Sequence, residues 1–515
     1  MKMLSQTGRR ALYIDLGILA IFVTIGVFVQ LHLGLDDYGI YHPDEIYQTL
    51  EPAHEMVYGF GLHAWEWDIG ARNTLLPAML AGVLGVARVF GLEQPPAYLA
   101  VLRGLVAIVF SSSAFAVYLL ARRFKAARVL ALAGAALFLF NPVSLYLGFR
   151  VFSEVISTPF VLFGLFLALS ASPISADDPA SKRARLWFML GLSLLGISVL
   201  FRLQNALFIV PLVLPWRFQK TQFERYQLAM KVLVAWALIF GAIDFFSWGL
   251  PFASAGAYLR FNLLMDGSTE YYGADSIFFY PYYFVRAMGV PGILMLVLPI
   301  FAAWRARAVL ICAGVFLVTH SFFPHKDLRF VLSTIPMLAA LSAVGIQCLL
   351  EHLKNPQTQH LAAAIAALGI FSAASWGSLQ ASSLTFGQLG QAQTLHLPPE
   401  TSAYRHRDPL NRLLILAASK DDICGLFLEQ EWAVNAGGHT YFHRDMPVFH
   451  EAVPPPQPGA YNYAISKHPP KPAWRALQTH TPYTLYATSS AQCAPAPDYK
   501  SVIYLPADED DAPTP

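Results

Sequence analysis

Long apolar runs alternate with short polar connections through the first 376 residues, and most of the runs approach the roughly 20 residues that a helix needs to cross the hydrocarbon core of a bilayer. They lie at 11–31, 98–120, 129–146, 156–169, 186–201, 203–215, 233–250, 287–303, 308–323, 330–350 and 361–376, which predicts eleven membrane-spanning helices. The 203–215 run is short by this measure and depends on its neighbours being right. Lys2, Arg9 and Arg10 resemble the charged start of a signal peptide, but the run behind them is long and no small-residue cleavage site follows, so it reads as an uncleaved first span.

Segment 75–90 is ambiguous, being apolar but short, opened by Pro77 and interrupted by Gly82, Gly85 and Arg88. If it crosses, the basic loop of Arg122, Arg123, Lys125 and Arg128 falls outside, against the rule that short cytoplasmic loops hold the excess of Lys and Arg. If it lies in the interface, that loop is inside, and so are the loops bearing Lys182, Arg183 and Arg185, then Arg217, Lys220, Arg225 and Lys231, then Arg305 and Arg307. The expected topology is an N-terminus in the cytoplasm and a C-terminal domain on the outer side, periplasmic in a bacterium or lumenal in the endoplasmic reticulum. Segments 36–73, 149–154, 251–285 and 324–329 then share the outer face.

Composition agrees with a membrane protein. Hydrophobic residues make up 56% and charged residues 13% of the 515, against roughly 25% charged in an average soluble domain, which excludes an ordinary soluble globule. Thirty-five Lys+Arg against 33 Asp+Glu leave +2, so there is no global basic field to attract nucleic acid, and the partner is the lipid bilayer. From about residue 385 the sequence turns polar and Pro-bearing, with 413–417 and 483–487 as expected strands. This predicts a transmembrane domain over 1–384, with its first outer loop at 34–97, and a small outer α/β domain over 385–515 ending in a disordered tail from about residue 506. Cys312 and Cys348 lie in apolar runs, whereas Cys424 and Cys493 lie in the polar part, where one disulfide is possible in an oxidising compartment. No internal repeat, P-loop, GxGxxG or HExxH pattern occurs.

The first outer loop carries Tyr41-His-Pro-Asp-Glu-Ile-Tyr-Gln-Thr-Leu-Glu51, then Gly59-Phe-Gly-Leu-His-Ala-Trp-Glu-Trp67 and Arg72. Pro43 suits the first helical position, which places Asp44 and Glu45 in a first turn whose free N–H groups favour ionised carboxylates. Ile46, Leu50, Ala53 and Val57 form one stripe and Asp44, Gln48, Glu51 and Glu55 another, predicting a helix flat on the bilayer with its carboxylates toward water and a kink at Pro52. Two readings of the acidic pair stand, a helix start or a working site. Two also stand for Trp65 and Trp67, an interfacial belt or sugar stacking.

Transfer of a sugar from a polyprenyl phosphate fits these residues. It needs a base for the acceptor hydroxyl and cations for the phosphate, and little else, because phosphate leaves without an acid. Asp44 supplies the base. The cations are Lys326 and Arg329 of Pro324-His-Lys-Asp-Leu-Arg-Phe330, with Arg150 and Arg202 at expected outer ends of spans. Interfacial snorkelling is the competing reading for Lys326 and Arg329.

His42-Pro-Asp-Glu45 with Gln48 and Leu50-Glu51, then Trp65-Glu-Trp67 and Arg72, resembles the signature of the Alg9-like mannosyltransferases, which include the GPI-anchor mannosyltransferases and belong to the GT-C superfamily. His325-Lys-Asp-Leu-Arg-Phe330 resembles their second signature, usually His-Lys-Glu followed by Arg-Phe; here Asp327 replaces that Glu, and Ala64 stands where Thr is common. Segment 244–262 and Tyr271-Tyr-Gly273 are also similar to the family. The resemblance implies a mainly α, polytopic GT-C fold, an isoprenoid-phosphate-linked mannose donor, an inverting single displacement and no required cofactor or metal. The topology puts the reaction at the outer face, with a hydroxyl of a glycan or glycolipid as the expected acceptor, although the same base would serve a protein Ser. The resemblance also implies catalysis at Asp44 and Glu45, with Asp44 as base and Glu45 as its positioner or the reverse. His325, Lys326, Arg329, Arg202 and Arg150 are the residues expected to hold the donor phosphate, and His42, Gln48, Glu51, Trp65, Trp67, Arg72 and Tyr272 those expected to contact sugar or acceptor. His439 and His443 are four apart, but with no acidic partner at helical spacing they read as structural or acceptor-binding rather than as metal ligands. The alternative function is a transporter or flippase of a lipid-linked saccharide, which should carry ionisable residues in mid-span and two related halves. Here the conspicuous charges gather at one face, with Arg103 and Asp244 the nearest to intramembrane charges.

Overall fold

The computed structural model describes residues 6–171, 180–213, 220–265, 267, 269, 273–450, 459–469, 471–488 and 502–503. Among these, six helices are long and apolar enough to cross a membrane: Arg10–Gly34, Pro95–Arg123, Ser153–Ser170, Lys182–Phe201, Phe223–Trp248 and Pro356–Ser383. Shorter apolar helices include Arg128–Leu139, Leu203–Val213, Val290–Ala302, Arg307–Phe322 and Thr334–Leu350, so every expected span falls on apolar helix as far as it is described. Leu75–Val89 is a helix of 15 residues, which rises about 22 Å and is shorter than a hydrocarbon core of roughly 30 Å.

Several spans are interrupted where the sequence analysis drew them continuous. The 129–146 run is two helices, Arg128–Leu139 and Pro142–Leu147. Asn141 between them accepts from the Ser144 N–H and donates to the Leu137 and Phe138 carbonyls, so its amide ends one helix and caps the next, with Pro142 at the start. The 287–303 run breaks at Gly289 (φ +60°) and ends in 3-10 geometry over Leu298–Ala302, where Pro299 removes a helical donor. The 330–350 helix begins only at Thr334, after a 3-10 turn over Leu328–Val331. Of 203–215, Leu203–Phe208 is 3-10 and Val210–Val213 a single helical turn, and the remainder lies outside the described residues. The basic residues assigned to two inner loops, Lys182, Arg183 and Arg185, then Lys220, Arg225 and Lys231, belong to the helices Ala180–Phe201 and Lys220–Trp248. Arg217 lies outside the described residues.

By packing the chain forms two compact units. One comprises Met1–Leu33, Gly104–Phe252 and Leu259–Thr401. Its centre is the Thr334–Leu350 helix, buried without interruption from Thr334 to Ile346. Small residues let helices meet closely here: a Cβ on Gly191 would come 2.6 Å from the Ala168 nitrogen, and one on Gly134 would come 3.0 Å from the Ala339 carbonyl. Leu238, Phe246, Leu361, Leu368 and Trp376 are exposed, as lipid-facing side chains should be.

The second unit comprises Gly34–Arg103, Ala253–Tyr258 and Ser402–Pro515, so the loop after the first span packs with the C-terminal segment, a grouping that cuts across the division at residue 385. It holds a five-stranded sheet in the order Val448–Phe449, Leu426–Leu428, Tyr463–Ser466, Tyr483–Ala487, Arg475–His480. The first three strands are parallel and the last two antiparallel to their neighbours. Strand 483–487 lies where the sequence put it, but 413–417 is part of the helix Asp408–Ala418. Leu410, Leu413, Leu414 and Ala417 are buried at helical spacing, and Pro409 sits in the first turn, which decides for helix over strand. Cys424 is in a disulfide, Cys312 and Cys348 are free, and Cys493 and the 506–515 tail lie outside the described residues.

Candidate active site

The candidate residues fall into two clusters, one in each unit. In the C-terminal unit the motif helix opens at Asp44, with the Pro43 carbonyl accepting from the Ile46 and Tyr47 N–H groups at 2.9 Å. The kink expected at Pro52 is instead a π-turn over Ile46–Leu50, in which the Glu51 N–H bonds the Ile46 carbonyl five residues back. Pro52 has no N–H for the Gln48 carbonyl and its ring would crowd that oxygen; widening the preceding turn relieves both problems. The extra residue also rotates the rest of the helix about its axis. The four-residue polar stripe is therefore split, and Glu51 points inward with no exposed surface rather than toward water.

Asp44 and Glu45 differ in access: Glu45 is 1% exposed, whereas the Asp44 side chain keeps 24% of its surface. His42 Nδ1 lies 3.2 Å from Asp44 Oδ1. Around them Glu66 takes hydrogen bonds from Arg72 Nη2 at 2.5 Å and Gln48 Nε2 at 3.2 Å, and the Arg72 guanidinium stands 6.0 Å from the Tyr258 ring centre. Burial works against the Arg72 charge, but Glu66 first and Asp44 behind it raise its pKa above the ordinary arginine value. Trp67 is nearly buried, and its indole N–H is spent on the Tyr47 carbonyl at 2.8 Å, so it braces the motif helix; Trp65 is half-buried at the start of the short helix Trp65–Asp68. Tyr272 lies outside the described residues.

In the other unit, Asp327 caps the 3-10 turn through the Arg329 N–H and bonds Arg329 Nε at 2.8 Å. The Arg329 guanidinium, from a residue 1% exposed, sits 4.9 Å from the Phe152 ring and 5.0 Å from the Phe330 ring. Arg202 lies 5.5 Å from the same Phe330 ring and 3.6 Å from Glu154, so two arginines distant in sequence share one aromatic ring. Arg150, fully buried, rests on Tyr146 and Phe149 at 4.6 and 5.2 Å, two residues from Phe152. Lys326 Nζ donates to the Asp275 carbonyl at 2.8 Å and to the Pro324 carbonyl at 3.1 Å. Burial lowers its pKa, with Asp275 opposing. His325 packs edge-on against Phe330.

Sequence reasoning missed Glu66, Glu154 and the aromatic seats of the arginines. A signal for the seats was present in Tyr146-Leu-Gly-Phe-Arg150-Val-Phe152, because desolvated guanidinium groups favour ring faces. Three arginines seated on aromatic rings, with Lys326 on the loop that carries Arg329, suit an anion, since few waters compete for it.

The Alg9-like mannosyltransferase family model matches residues 21–395, which include both signatures. GPI mannosyltransferase 3 of Yarrowia lipolytica is 28% identical over 313 residues, 59% of this chain and 58% of that relative. The mannosyltransferase APTG1 of Arabidopsis thaliana is 25% identical over 59% of this chain and 54% of its own length. The match thus spans somewhat more than half of these relatives. Among solved structures, ArnT from Cupriavidus metallidurans bound to undecaprenyl phosphate superposes with a TM-score of 0.60 at 12% identity, covering 93% of this chain and 99% of that one. Archaeal AglB from Archaeoglobus fulgidus, in complex with an inhibitory peptide and a dolichol-phosphate, has a TM-score of 0.54 at 13% identity, covering 84% of this chain and 64% of that one. The fold is thus that of the polytopic GT-C membrane glycosyltransferases, and the chain belongs to the Alg9-like mannosyltransferase family.

Proposed function

We propose that the protein transfers mannose from a polyprenyl-phosphate-linked donor to a hydroxyl of a glycan or glycolipid at the outer face of the membrane. One observation carries the reading beyond family membership: Arg202 and Arg329, 127 positions apart, converge on Phe330, with Lys326 on the same loop and Arg150 beside Phe152. The relatives' names support mannose, and the lipid phosphates bound to ArnT and AglB support the donor class.

In the proposed step Asp44 accepts the proton of the acceptor hydroxyl as its oxygen attacks the anomeric carbon. The bond from that carbon to the phosphate oxygen breaks, and the polyprenyl phosphate leaves with the electron pair. Attack opposite the leaving group inverts the anomeric configuration. Arg150, Arg202, Lys326 and Arg329 stabilise the charge gathering on phosphate, so the step requires neither a protein acid nor a metal. Glu45 is held inside the fold beside the base, which suits a supporting role.

The test uses purified protein in vesicles given polyprenyl-phospho-mannose carrying labelled sugar, with candidate glycolipids on the outer side. Release of polyprenyl phosphate together with labelled glycolipid is the expected result. Label that crosses the bilayer with its phosphodiester intact would make the protein a transporter instead.

A further inference from the structure

The motif helix is held by a part of the chain that the family model, ending at residue 395, does not reach. The buried Glu51 carboxylate accepts four hydrogen bonds. Oε1 takes the Leu62 and His439 N–H groups, each at 2.8 Å, and Oε2 takes the Thr440 N–H at 2.8 Å and the Thr440 hydroxyl at 2.5 Å. Gly438 stands at φ +57°, and a Cβ there would come 2.7 Å from Oε1, so the 437–440 turn is built around the carboxylate. Tyr47, in the π-turn itself, places its hydroxyl 2.6 Å from the Ala433 carbonyl and 2.8 Å from that of Ala436. A charge so deeply buried is tolerated only when saturated, and four donors saturate it. Burial alone would raise the Glu51 pKa, but the bonds from His439 and Thr440 and the charges of His439 and His54 bring it to about 2, so the anion persists at any working pH.

We propose that Glu51 is a positioning residue, fixing the π-turn and through it Asp44 against the 437–440 turn of the C-terminal segment, rather than a contact for sugar. The C-terminal segment thereby becomes part of the catalytic unit. A second tie points the same way: strand Val502–Ile503 pairs parallel with His63–Ala64, in the loop after the motif helix. The proposal rests on Asp44 acting as the base.

The test takes full-length Glu51→Gln and the milder Thr440→Val, which removes one donor, and reads both amide exchange and kinetics with polyprenyl-phospho-mannose and a synthetic mannosyl glycolipid. In Glu51→Gln, exchange over 44–51 and 437–441 is expected to accelerate about tenfold or more while that of 334–350 stays unchanged. Turnover falls about tenfold with donor KM within about twofold, because positioning acts on the transition state. Thr440→Val gives the same pattern at smaller size and carries the test if Glu51→Gln does not fold. Unchanged exchange in both variants would overturn the proposal, as would a raised KM at unchanged turnover, the mark of a substrate contact. The exchange arm reads positioning without turnover, so its failure is separate from a failure of Asp44 as base, which appears only in the turnover of Asp44→Asn.

Discussion

Asp44 and Glu45 are chain neighbours with unequal access, and that inequality supports the roles proposed for them: a base must reach the acceptor, and of the two only the Asp44 side chain keeps appreciable surface. On the phosphate side, Arg329→Lys keeps a charge but loses the fork that Asp327 orients. Donor KM should rise about tenfold with little change in melting temperature, and steady-state kinetics showing an unaltered KM would remove Arg329 from phosphate binding. Lys326 has a definite pH signature. Its pKa is lowered by burial, so the ammonium is lost at a lower pH than an ordinary lysine loses its proton, and donor binding should weaken on that alkaline limb. Lys326→Arg should move the limb upward in a KM profile against pH. Chelation with EDTA should leave turnover within about twofold, whereas an approximately tenfold loss restored by a divalent cation would contradict the metal-free step. At this scale the acidic pair and the HKD-LRF cations were legible because their chemistry is local. The inward turn of Glu51 was not, since it depends on a proline-induced π-turn and on donors 388 and 389 positions away.

Among the elements, continuous apolar runs were read correctly as helices, and the breaks were passed over although Asn141-Pro142 and Gly289-Val-Pro291 stand in plain view. Hydropathy averages over such residues, whereas backbone hydrogen bonding does not. The capping amide gives a direct check: Asn141→Ala should cost about 1 kcal/mol and lower the melting temperature by a few degrees, while an unchanged melting curve would mean that packing alone sets this break. The motif helix also has a pH-dependent neighbour. His54 Nε2 and His443 Nδ1 lie 2.8 Å apart, and burial, followed by the charge of His54, lowers the His443 pKa from 6.5 to about 4. A histidine kept neutral by folding binds fewer protons folded than unfolded. The stabilisation it gives is therefore complete above about pH 6.5 and lost as pH falls toward about 4. Thermal melts across that range should show it, and His443→Phe should flatten the dependence.

For the whole molecule, the GT-C architecture was legible from span pattern and motifs together, but the grouping of 34–103 with 402–515 was not, because a composition change at residue 385 carries no information about what the later segment packs against. Orientation is testable independently. If the basic loops lie inside, a reporter fused at Gln391 should report the outer side and one fused after Arg128 the cytoplasm. The opposite result at Arg128 would mean that Leu75–Val89 crosses the membrane. The proposed transfer needs an ionised Asp44 to take a proton while cations receive the phosphate. Its most direct measurement is the rate of polyprenyl phosphate release from polyprenyl-phospho-mannose by Asp44→Asn, alongside donor affinity. A loss of at least about a hundredfold in rate with donor affinity kept within about threefold is predicted, and release at the wild-type rate would contradict the mechanism.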